Sequence, residues 1–353
     1  MKDEFSGKTC SFTVLSILLL SMLFAEGCGR PAGRIFPPVQ PPRVWPEPPE
    51  QAHIRYVGMI CTEEDLKRAV SWTKGLGELF FGKKEIGVLL NPYTVVVDPQ
   101  QRLFVADTAG AVIHVFDLST RNYYQFAATT AGAQLAMPVA LALVGEKVYV
   151  VDSLLHKVCV FDKQGRFQSS FGADRLKRPA GIACRGEGNG IFISDAARHM
   201  VVEFDRDGRF LKEIGERGAA PGRLNFPTHL CVDKTGRLYV SDTLNYRIQV
   251  FSADGQFLKM FGEHGDRPGY FAHPCGIATD RFGNIYVGDR QFENIQVFNS
   301  EGDILMAWGQ EGDDIGQFWL PGGIYIDERN RIYVADSFNK RVQVFELLDG
   351  SGS

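Results

Sequence analysis

The chain has 353 residues, 44% hydrophobic and 23% charged, which is ordinary globular composition with enough apolar material for a large core. Its net charge is −4 and no long run of Lys or Arg interrupts it. Nucleic-acid binding needs a basic face that displaces counterions from phosphates, so no nucleic-acid partner is expected.

At the N-terminus, Lys2 and Lys8 precede an apolar run, Phe12 to Ala25, and are offset by Asp3 and Glu4. The run has 14 residues. That is short of the roughly 20 a membrane-spanning helix needs, and it reads as the apolar core of an export signal. The following Ala25-Glu26-Gly27-Cys28 resembles the lipobox of bacterial lipoproteins, departing from it at Ala25, where leucine is usual, and at the charged Glu26. The resemblance implies a signal peptide over 1–27, lipidation of Cys28, and a bacterial cell-envelope location with the membrane as partner. Gly29, in place of Asp, points to the outer membrane, facing periplasm or exterior. Residues 28–52 are expected to be a tether, because eight of the 17 prolines fall within 31–50 and favour extended polyproline structure.

Next, HIRYVGMI (53–60) has strand composition, and TEEDLKRAVSWTKGLGELFFG (62–82) opens with a Thr N-cap and an acidic first turn, predicting a short helix ending near Gly75 or Gly77. Beyond it the sequence repeats. Prolines 92, 138, 179, 227, 274 and 321 each open an apolar stretch, and aspartates 107, 152, 195, 242, 289 and 336 each close a second one, 43 to 47 residues apart. Each period holds four short β-rich stretches. In the fourth they are HLCVD (229–233), RLYVSD (237–242), RIQVFS (247–252) and QFLKMFG (256–262). Turns such as DKQG, DRDG, SADG and NSEG join the last two. Four antiparallel strands per 40–50 residues is the mark of a β-propeller blade.

The motifs P-x-G-I-x-x-D (Pro274–Asp280, Pro321–Asp327) and Y-V-x-D-x-x-N-x-R-[IV]-Q-V-F (Tyr239–Phe251, Tyr333–Phe345) resemble the NHL-repeat family over residues 89–346. The fold expected is all-β, a six-bladed NHL-type β-propeller over 53–346, followed by a tail, 347–353. The sixth repeat stops after its third strand, so residues 53–60 are predicted to supply the outer strand and close the ring; a monomeric propeller is expected. Strand parity then separates two faces. Face X carries the inter-blade connectors and the loops after the repeat aspartates; face Y carries the D-x-x-G hairpins.

Five cysteines follow Cys28, with no C-x-x-C, so neither a disulfide framework, a zinc knuckle nor a c-type haem is indicated. The repeat aspartates end second strands, away from the channel, and are expected to accept backbone N–H groups rather than to hold a metal. One enzyme of the family, the peptidyl-hydroxyglycine amidating lyase, holds zinc with histidines placed directly after the repeat proline. Here those places hold Tyr93, Val139, Ala180, Thr228, Cys275 and Gly322, so that triad is missing. His229 stands one place later, where the motif has glycine, and is the anomalous residue at the channel mouth. His156 and His199 share one loop slot in blades two and three. With Arg290, Arg267 and Tyr93 these form the candidate ligand face; no catalytic residue, cofactor or metal is assigned. Two readings follow. The first is a non-catalytic envelope module on face X for a protein, peptide or glycan. The second is a lyase- or lactonase-type enzyme with a divalent metal in the channel, which His156, His199 and His229 would be the residues to hold.

Overall fold

The computed structural model describes residues 32–68, 87–127, 134–186 and 190–348. Cys28 and the export-signal segment lie outside the described residues, as do 69–86, which hold most of the expected helix, and the tail beyond 348. Within 62–68 the chain forms a single 3-10 turn, Glu63–Leu66, with Thr62 as N-cap in a complete capping box with Asp65. No helix among the described residues is long and apolar enough to cross a membrane.

Six antiparallel sheets form a closed ring, each contacting the next through its innermost strand. Every blade starts at its repeat proline: Pro92–Val97, Pro138–Val144, Pro179–Cys184, Pro227–Val232, Pro274–Thr279 and Pro321–Ile326 are the inner strands. Proline suits this first position because its missing N–H would have faced no ladder partner. The second strands, such as Leu238–Asp242 and Arg331–Asp336, are buried on both sides, since each sheet packs face to face against its neighbours. The outer strands Phe257–Phe261 and Ile304–Trp308 alternate between exposed and covered, as half-buried strands do. The apolar core is accordingly divided into six slabs, one per interface between blades. In the D-x-x-G hairpins on face Y, Gly165, Gly208, Gly255 and Gly302 all take positive φ, the conformation the turn requires.

The ring closes as the sequence predicts. Ile54–Ile60 pairs antiparallel with Arg341–Leu347, from Ile54 opposite Leu347 to Ile60 opposite Val342, completing blade six from the two ends of the chain. Phe345, fully buried, meets Trp45, Tyr56, Trp308 and Phe318 at this seam. A fifth strand was not expected: Val44–Trp45 adds to the outside of Ile54–Ile60. The described part of the proline-rich segment therefore does not stand clear of the ring. Its few large apolar residues, Ile35, Phe36, Val39 and Trp45, dock on blade six and the neighbouring slabs, and that burial outweighs the extended preference of the prolines between them.

The repeat motif acts as a clamp for the connectors on face X. All six repeat aspartates are fully buried. Each accepts N–H groups from the connector that leads into its own blade, as Asp107 does from Leu90 and Asn91, and Asp289 from Ala272 and His273. In blade six Asp336 also holds Asn339, Arg341 and Gln343, and these three grip the carbonyls of Gly312, Asp313, Asp314 and Gln317. Asp242, Asn245, Arg247 and Gln249 repeat the arrangement in blade four. In blade one His114 takes the glutamine's place, its Nε2 3.6 Å from Asp107 and its Nδ1 2.8 Å from the Tyr123 hydroxyl. Burial raises the Asp107 carboxyl, but His114 and the three amides outweigh it and hold it below its ordinary range.

Candidate functional site at the channel mouth

The six inner strands enclose a central cavity of about 270 Å³, lined mainly by apolar side chains such as Val96, Leu141, Ile182, Leu230, Ile277 and Ile324. Near its face X end the strands converge. A Cβ at Gly276 would fall inside the van der Waals shell of the Gly322 carbonyl, and one at Gly322 inside that of Tyr93, so these positions accept only glycine without a shift of backbone. The ring of residues two places after the repeat proline reads Thr94, Ala140, Gly181, His229, Gly276 and Gly323, all small except one.

That one, His229, is 7% exposed and lies on the cavity wall. Its ring stacks on Tyr93, centroids 5.8 Å apart and planes 22° apart. Tyr93 belongs to blade one and His229 to blade four, which face each other across a six-membered ring, so the two side chains meet over the channel axis. The guanidinium of Arg290, from blade five, lies 5.5 Å above the Tyr93 ring. Arg178, exposed at the entry to blade three, lies 5.0 Å over Phe226 and is close enough to act on the Tyr93 phenol. Burial pushes that phenol up, and the two arginines pull against it. Neither arginine has a carboxylate within ion-pair distance among the described residues.

Burial, then the positive charge of Arg290 and the proximity of His273, lower the His229 pKa to about 3, so its imidazole is neutral. Which nitrogen carries the proton depends on how the Thr243 hydroxyl spends its own. The Thr243 hydroxyl donates to the Pro274 carbonyl, 3.0 Å away, and a carbonyl can only accept. With the Thr243 proton on that carbonyl, the Thr228 hydroxyl, 2.7 Å from Thr243, donates to it and leaves Thr228 Oγ1 to accept from His229 Nδ1 at 3.3 Å. His229 Nε2 is buried and without a hydrogen-bond partner, and in this arrangement it is a bare acceptor. His273 Nδ1, beside Arg290, is likewise buried and unpartnered, and burial and that cation lower its pKa. Cys275 completes the floor; burial pushes its thiol up to about 12, which makes it an inert filler.

Of the six residues proposed for a ligand face, the structure brings Tyr93, His229 and Arg290 into one cluster and leaves three outside. His156 and His199 occupy the left-handed position before the third strand of their blades, the same conformation taken there by Ala111, Tyr246, Glu293 and Lys340. His199 Nδ1 accepts from the Phe226 amide, 3.1 Å away, a local structural role; His156 is exposed. Arg267 is exposed in the turn of the connector before blade five. Among the described residues, no group of three or more His, Cys, Asp or Glu is placed to hold a metal ion.

Sequence reasoning missed Arg178 and the apolar rim. Leu154, Leu244 and Phe338, each two residues after a repeat aspartate, are exposed on face X at alternate blades, and Trp319 packs on Phe338 at 5.1 Å. The signal was available: the other three blades carry Ala109, Ala197 and Gln291 at that place.

Two stretches, residues 224–251 and 318–345, match the NHL repeat family model. These are the two blades that keep the whole Asp-Asn-Arg-Gln clamp. Over 112 residues the chain is 31% identical to Protein brain tumor of Drosophila melanogaster, a match covering 31% of this chain and 11% of that protein. The chain thus matches only about a tenth of the length of that relative. Among solved structures, a gluconolactonase from Xanthomonas campestris has a TM-score of 0.59 at 16% identity, with 92% of this chain and 98% of that one covered. An auxiliary nutrient binding protein from Bacteroides ovatus has a TM-score of 0.58 at 14% identity, covering 74% and 71%. A streptogramin B lyase has a TM-score of 0.55 at 13% identity, covering 74% and 94%. At these identities the likeness is one of fold.

Proposed function

We propose that this NHL-repeat propeller is a non-catalytic binding module of the bacterial cell envelope, tethered through lipid at Cys28, that receives a protein or peptide on face X. The observation that carries the reading is the division of labour on that face. The repeat carboxylates are all engaged with backbone amides, whereas Arg290 and Arg178 have no ion-pair partner among the described residues and Leu154, Leu244 and Phe338 are exposed. Exposed apolar side chains on a face that also carries cations suit recognition of a polypeptide.

The test is site-specific photocrosslinking in intact cells. A photoreactive residue at Leu244 or Phe338 is expected to capture one reproducible envelope partner, and one at Ala253, in a face Y hairpin, is not. Equal capture from both faces, or from neither, overturns the assignment. So does a divalent metal that co-purifies with the chain and is lost on His229→Ala, which would favour a metal-dependent enzyme. Failure of a fatty-acid probe to label Cys28 would remove the tether alone.

A further inference from the structure

We propose that the channel mouth on face X is a carboxylate site that takes the free C-terminus of a polypeptide, with Arg290 and Arg178 holding the carboxylate and His229 Nε2 accepting the last backbone N–H. The inference rests on the reading of face X as a binding surface and names what that surface recognises. Three observations converge. Arg290 stands over Tyr93 and Arg178 over Phe226, within electrostatic reach of the Tyr93 phenol, neither with an acidic partner among the described residues, and guanidinium is the side chain whose planar fork matches a carboxylate. His229 is more than nine-tenths buried, lines the channel end, and carries an unsatisfied nitrogen. Such a group is normally paired, and with Thr243 donating to the Pro274 carbonyl the chain through Thr228 leaves Nε2 with a lone pair and no proton. A bare carboxylate would leave that lone pair unanswered. A ligand that satisfies the whole site carries a carboxylate with a neutral donor a few bonds away, and a peptide C-terminus has both.

The flanks favour a polypeptide over a sugar acid, whose carboxylate and hydroxyls would fit the polar centre alone. Leu154, Leu244 and Phe338 with Trp319 give the same face apolar surface suited to side chains rather than hydroxyls. Asp289, next to Arg290 in the chain, and Asp195, which accepts the Arg178 amide, are both held by backbone N–H donors and do not neutralise the arginines.

The experiment uses the mature chain with histidine labelled by ¹⁵N and three probes: N-acetyl-dileucine with a free carboxylate, the same peptide as its C-terminal amide, and glucuronate. The free acid is expected to bind by calorimetry and to move the His229 Nε2 resonance as it accepts a proton-bearing donor. Arg290→Ala and the more exposed Arg178→Ala should each weaken binding about tenfold or more, with the unfolding midpoint unchanged. Equal binding of the amide, tighter binding of glucuronate, or binding indifferent to both arginines overturns the proposal. Absence of any binding does so as well. If photocrosslinking from Leu244 still captures its partner while the acid peptide fails, the carboxylate site falls and the binding module stands. If both fail, the reading of face X falls with it.

Discussion

At the scale of single residues, His229 is held neutral in the fold at a cost that depends on pH. Its folded-state pKa of about 3 lies below the ordinary value of 6.5, so the unfolded chain takes up a proton that the folded chain refuses. Stability is therefore present above the ordinary value and lost as pH falls from it towards the depressed one. Between neutral pH and pH 5 this loss amounts to about 2 kcal/mol from His229 alone. Denaturant unfolding at both pH values should show that much smaller a drop in His229→Gln than in the parent chain. An identical drop would place the proton uptake elsewhere, with His273 the next group to test, because burial depresses it in the same sense. His229 was legible in the sequence because it breaks a column of small residues. Its stacking on Tyr93 was not, since the two lie 136 positions apart and meet only because blades one and four are opposed. Arg178 was hidden for a different reason. It sits in a connector whose path is set by the buried Asp195, to whose carboxylate its own amide donates, and no local pattern announces that.

At the scale of the element, the recurring Asp-x-x-Asn-x-Arg-x-Gln is best understood as a fastening between a blade and the connector that enters it. Asp336→Ala would leave Arg341, 6% exposed, as a buried cation without its anion. The expected loss is about 3–5 kcal/mol, and replacing the cation as well, in Asp336→Ala/Arg341→Met, should recover part of it. A double variant as unstable as the single would show that lost connector contacts, not the stranded charge, set the cost. The strands were readable because their period survives in every repeat, and face assignment followed from parity alone. The Val44–Trp45 strand was unreadable: two residues among prolines carry no periodicity, and only the docking of Trp45 near Gly316 and Phe345 makes it a strand.

At the scale of the whole molecule, the ring is held shut by Ile54–Ile60. Removing residues 1–60 would expose the edge of Arg341–Leu347 and uncover Phe345. An open edge of this kind pairs with other chains, so the truncated protein should leave the monomer position in size-exclusion chromatography and unfold at lower temperature. A truncated protein that stays monomeric with an unchanged midpoint would show that the seam is dispensable.

The same seam governs time as well as stability. Arg55 and Glu346, paired across it, are separated by 291 positions in the chain. Blades one to five, and the first three strands of blade six, assemble from neighbours in sequence, whereas the outer strand of blade six must come from the other end of the chain. Contacts of such separation slow folding, so ring closure is the natural final step of assembly and seam opening the natural first step of its reversal. Until the two ends meet, a newly made chain is an open ring whose blade six lacks its outer strand and shows the bare edge of Arg341–Leu347.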